Sequence, residues 1–91
     1  MRKDKKLRVY APYTREAMNL LSKEIKLKRN KLRWTEAGLA ERAGISISTV
    51  KRIEKGDLSC AIGLVFEVAA LVRIKLFVED LVGIRDLTEI I

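Results

Sequence analysis

Residues 39–56 constrain this chain more than any other stretch. Two short segments with helical patterning, 36–43 and 47–54, are separated only by Gly44-Ile45-Ser46. Each carries its own start signal: Thr35 precedes the first and Ser46 the second, and such side-chain oxygens accept from amides of the first helical turn. Glu36 in that first turn complements the macrodipole. Gly44 and Gly56 fall where the two segments stop and a left-handed backbone is needed. Helices so short and so tightly linked must cross closely at a steep angle. Ala40 is small enough to let them touch, while Ile45, Val50 and Ile53 fill the seam. That packing leaves Ile47, Ser48, Lys51 and Arg52 pointing outward from the second segment.

The flanks predict further helices. Pro12, the only proline, ends an arm in which Leu7-Arg8-Val9-Tyr10 suits strand or coil alike. Thr14 is then placed to cap a helix in which Ala17, Leu20, Leu21, Ile25 and Leu32 recur at helical spacing, with Lys23, Lys26, Lys28 and Arg29 largely outside that face. Downstream, Asp57 or Ser59 can cap a helix running to about Val72. It is apolar almost all round and so expected in the middle of the core. From Lys75 the pattern fits a short amphipathic helix and an apolar tail, although residues 87–91 fit an edge strand equally well. The expected fold is all-α, in one domain; 91 residues exclude a multidomain enzyme.

Charge is distributed unevenly. The net formal charge is +7, made of +9 over residues 1–34, zero over 35–59 and −2 over 60–91. A basic N-terminal third suits an anionic partner, and the apolar, mildly acidic C-terminal third suits contact with protein. The chain has no histidine and one cysteine, Cys60, which excludes zinc-finger spacings, His-based catalysis and an intramolecular disulfide. Its one thiol, expected to be packed and inert, suits a reducing cytosol. The basic start lacks the apolar region of a signal peptide, and the longest apolar stretch, 60–71, falls well short of the roughly 20 residues of a membrane span. No triad and no phosphate-cradling glycine loop is present, so neither an enzyme nor a cofactor or metal is expected. Few aromatic residues are available to stack on single-stranded bases, which disfavours RNA.

The run Leu39-Ala40-Glu41-Arg42-Ala43-Gly44-Ile45-Ser46-Ile47-Ser48-Thr49-Val50-Lys51-Arg52-Ile53-Glu54-Lys55-Gly56 resembles the Cro/C1-type, or XRE, helix-turn-helix family over about residues 18 to 77. The resemblance implies a five-helix, lambda repressor-like domain at 13–77, between a basic arm at 1–12 and a C-terminal extension at 78–91. It implies that the third helix lies in the major groove of double-stranded DNA, with Ile47, Ser48 and Arg52 at base edges and Lys51 at their margin. The guanidinium fork of Arg52 independently matches the two acceptors of guanine, and Ile47 suits a thymine methyl. Backbone contacts are expected from Lys28, Arg29, Lys31, Arg33, Thr35 and Lys55. The resemblance also implies that Arg29 pairs with Glu54, which gives Arg29 a structural role first. Trp34 occupies an apolar position of the pattern and is expected to pack rather than stack on a base.

Two positions depart from the family pattern. Glu36 stands where relatives commonly carry a glutamine that meets a phosphate, so that contact is expected to be missing or shifted. Gly38 stands inside a helix where Glu or Gln is usual, a change expected to be neutral apart from weakening the helix by roughly 0.5–1 kcal/mol.

One helix-turn-helix unit reads only a few base pairs, so a homodimer on a palindromic operator is expected, with Leu81, Ile84, Leu87, Ile90 and Ile91 as candidate dimer or partner contacts. More narrowly, Tyr13-Thr14-Arg15-Glu16-Ala17 and residues 61–72 resemble the HipB-like antitoxins. That implies an autorepressor that also holds a HipA-type kinase toxin and co-represses their operon. The alternatives are a stand-alone phage-type or chromosomal repressor and a protein-interaction module that keeps the fold without binding DNA.

Overall fold

A computed structural model describes residues 8–76. These form four helices: α1 (Pro12–Lys31), α2 (Glu36–Ala43), α3 (Ile47–Glu54) and α4 (Ile62–Leu71). The fold over these residues is all-α. The fifth helix and tail expected from Lys75 onward fall almost wholly outside the described residues, as do the first seven positions. No described helix is long and apolar enough to cross a membrane.

The first helix begins earlier than the Thr14 cap predicted. Ala11 is its extended N-cap and Pro12 its first residue, with no side-chain cap. Proline suits that position because its fixed φ is helical and its missing N–H would be unpaired there anyway. The buried face is also offset from the predicted one. Ile25 is fully buried and Met18, Leu21 and Leu32 pack against the core, but Ala17 is exposed and Leu20 is 65% exposed. Ser22 and Arg29 complete the inward stripe instead. Ser22 Oγ donates to the Asn19 carbonyl at 2.9 Å, which satisfies a buried hydroxyl.

The turn after α3 lies against the inward stripe at Ser22. Gly56 has φ +81°, and a Cβ there would lie 2.6 Å from Asn19 Oδ1 and 3.5 Å from Ser22 Oγ. The turn thus packs directly on the Asn19 and Ser22 side chains of α1, and a side chain at position 56 would have to displace Asn19.

The central pair of helices follows expectation closely. Thr35 Oγ1 accepts from the Gly38 amide at 2.9 Å, and Ser46 Oγ accepts from the Thr49 amide at 3.1 Å. Gly44 adopts φ +70°, and the following Ile45 amide donates to the Ala40 carbonyl at 3.0 Å, closing α2. Ala40, Val50 and Ile53 are buried at the crossing, against Leu39.

The last helix departs from expectation at both its start and its surroundings. It starts at Ile62 after Ala61, without a side-chain cap, because Asp57 and Ser59 are engaged in the preceding turn. Val65, Val68, Ala69 and the C-cap Val72 are buried, whereas Ile62 is 68% exposed and Leu64 and Phe66 are also exposed. It therefore lines the core with one face rather than occupying its middle.

Candidate nucleic-acid interface

α3 divides sharply between two faces. Val50 and Ile53 have no exposure, while Ile47, Ser48, Lys51 and Arg52 are all exposed. The 3.6-residue period puts 50 and 53 on one side and 47, 48, 51 and 52 on the other. The four expected base-reading residues thus share one outward surface on a helix anchored from behind.

Among the described residues three charge pairs involve α3, one behind it and two on its exposed side. Arg29 Nε and Nη2 donate to Glu54 Oε2 and Oε1 at 2.7 and 3.1 Å, and Nη1 donates to the Trp34 carbonyl at 2.8 Å. The two side chains are 8% and 3% exposed. The Glu54 hydrogen bonds raise the Arg29 pKa against the opposing effect of burial. Every nitrogen of Arg29 has a partner inside the fold, so it ties α1 to α3 and to the turn before α2, a structural role that weighs against the phosphate contact expected of it. The pairing with Glu54 is present as the resemblance implied.

At the front of the surface, Lys51 Nζ donates to Glu36 Oε1 at 2.9 Å. This hydrogen bond, opposed by desolvation, holds the Glu36 carboxyl below its usual range. Glu36 is therefore the partner of a lysine on the exposed face of α3 rather than a bare anion at the start of α2.

At the far end, Arg52 Nε donates to Asp57 Oδ2 and Nη2 to Ser59 Oγ, each at 2.9 Å. Ser59 in turn donates to Asp57 Oδ1 through its hydroxyl at 2.7 Å and through its amide at 2.8 Å. The Ser59 hydroxyl and then Arg52 pull the Asp57 pKa down to about 2, and the bond to Asp57 raises that of Arg52. Asp57 and Ser59 were expected only as helix caps. A D-x-S spacing one turn beyond an arginine was the available signal for this arrangement.

The remaining candidate contacts lie in α1, in the turn into α2 and at the end of α3. Lys31 and Arg33 are exposed at the turn into α2, Lys55 is exposed at the end of α3, and Lys28 is half-buried. Arg33 takes φ +63° without being glycine. Thr35 is exposed at the start of α2, with its hydroxyl oxygen used as the cap. Trp34 is half-buried against the core, and Arg42 stacks on its ring at 4.0 Å, which agrees with packing over base stacking. Gly38 has a steric role as well: a Cβ there would lie 3.3 Å from both Arg42 Nη1 and Thr35 Oγ1. Burial pushes the thiol pKa of half-buried Cys60 up. Leu81, Ile84, Leu87, Ile90 and Ile91 lie outside the described residues.

A helix-turn-helix family model matches residues 25–76, more than half of the chain, from the middle of α1 to beyond α4. The chain belongs to the XRE-type helix-turn-helix family. Neither curated proteins nor solved structures give a match. Membership makes this helix-turn-helix protein a DNA-binding regulator of a non-catalytic family. The matched span contains the whole α2–α3 unit and its buried Arg29–Glu54 tie.

Proposed function

We propose that this helix-turn-helix protein is a sequence-specific repressor whose α3 enters the major groove of double-stranded DNA, with Ile47, Ser48 and Arg52 at base edges and Lys51 beside them. The observation that carries this reading is the division of α3 into a fully buried seam, Val50 and Ile53, and an exposed face of Ile47, Ser48, Lys51 and Arg52. Lys31, Arg33, Lys55 and Lys28, with the start of α2 at Thr35, are the contacts proposed to the phosphate backbone, their chemistry suiting it. Two copies would place two such helices roughly 34 Å apart on a palindromic site. Footprinting on the DNA upstream of its own gene tests this. Two symmetric protected half-sites support a dimeric autorepressor, and unlocalised protection refutes it.

A second activity fits the remaining surface. The likeness of residues 13–17 and 61–72 to HipB-like antitoxins, together with the exposed Ile62 and Leu64 on α4, supports an antitoxin that holds a HipA-type kinase toxin and co-represses their operon. Co-expression with a kinase encoded beside it should yield a stable complex. Failure to co-purify any such kinase leaves the stand-alone repressor as the function.

A further inference from the structure

The guanidinium of Arg52 is held along one edge only. Its Nε and Nη2 donate to Asp57 and Ser59, and Asp57 is locked in turn by two bonds from Ser59. Nη1 has no protein partner among the described residues, and the Arg52 side chain is 48% exposed. Nη2 keeps a second hydrogen beside Nη1. The end of the fork is thus left with two parallel donors, matched to the paired N7 and O6 acceptors of a guanine. A free arginine on a helix surface would have to give up many rotamers to meet a base. Here the α3–α4 turn has already fixed the plane of the fork.

From this arrangement, which rests on the DNA-reading role proposed for α3, we infer that Asp57 and Ser59 are specificity-determining positioning residues that hold Arg52 for bidentate reading of one guanine. Neither residue touches DNA in this scheme. The carboxylate stays ionised far below neutral pH, so the clamp is set throughout the range in which DNA binding is measured. A negative group this close to the interface also weakens phosphate attraction, so its removal should separate two effects: general affinity rises while discrimination falls.

The test starts from a duplex selected by the wild-type protein out of random sequences. Affinities are then measured for all four base pairs at each position, for wild type, Arg52→Ala, Asp57→Asn, Ser59→Ala and Arg52→Ala with Asp57→Asn. Arg52→Ala should relax a single guanine position. Asp57→Asn should lose roughly 5-fold or more of the discrimination at that same position and none elsewhere. It should add nothing in the Arg52→Ala background. Ser59→Ala, a change at an exposed side chain, should lose a smaller part of the same preference, which keeps the test independent of the folding of Asp57→Asn. If Asp57→Asn binds every sequence more tightly with its guanine preference intact, the carboxylate only competes with DNA and the clamp is overturned, while the reading role of α3 stands. An equal loss with and without Arg52 overturns it too, because Asp57 then acts on the turn. If the wild type selects no site, the reading role of α3 fails and the clamp falls with it.

Discussion

Glu54→Gln leaves the Arg29 guanidinium inside the fold facing a neutral amide. The two side chains are 8% and 3% exposed and share two hydrogen bonds, so the value of about 0–1 kcal/mol typical of surface pairs does not apply. Removing one partner of a buried pair costs about 3–5 kcal/mol. Glutamine keeps one acceptor oxygen and Arg29 keeps its bond to the Trp34 carbonyl, which places the loss at the lower end. A chain of this size holds roughly 5–14 kcal/mol of stability, and 1 kcal/mol shifts Tm by about 4–8 °C in a domain of this length. The melting transition, followed by circular dichroism at neutral pH, should therefore fall by roughly 12 °C or more. The paired change Arg29→Met with Glu54→Leu should recover much of that loss, because it removes both charges together. A fall of less than about 4 °C for Glu54→Gln, equivalent to no more than about 1 kcal/mol, would refute the argument. The pair would then behave as if solvated.

Three other outcomes are expected. Glu36→Gln removes the negative charge that Lys51 meets at 2.9 Å; nonspecific duplex binding should tighten, with a salt slope steeper by up to about 0.9 per protomer, and an unchanged affinity and slope between 50 and 200 mM salt would count against it. Arg73→Gly relieves a non-glycine residue at φ +71° and should stabilise by about 1 kcal/mol, visible as a higher Tm. Asp57, whose pKa of about 2 lies below its ordinary 3.8, adds stability above about pH 4 that is lost as pH falls through 2; the Tm gap between wild type and Asp57→Asn should be constant from pH 5 to 7 and close between pH 4 and 2.

What could be read from sequence was what local chemistry determines. Thr35, Gly44, Ser46 and Gly56 each act through their own backbone neighbourhood, and all four do what their residue types predict. The outward set on α3 was legible for the same reason, since two buried residues three apart fix the opposite face. What was missed depends on distant parts of the chain. The buried stripe of α1 takes in Ser22, which lies against the Gly56 turn beside Asn19, a contact between residues more than thirty apart. Leu20 fits the period yet faces solvent. Sequence marks Glu36 only as a departure from the family pattern, because its partner Lys51 lies fifteen residues on. Asp57 and Ser59 read as caps because cap residues and arginine acceptors are the same residue types, and only the path of the turn separates the two roles.

The claim that α3 reads DNA is tested most directly by one ratio: affinity for the DNA upstream of the gene over affinity for a scrambled duplex of the same composition, at about 150 mM salt, for wild type and Arg52→Ala. The wild-type ratio should be roughly 10³ or more and that of Arg52→Ala much smaller, with the scrambled duplex bound almost equally by both. A small ratio that is the same in the two proteins would mean that α3 does not read DNA through Arg52.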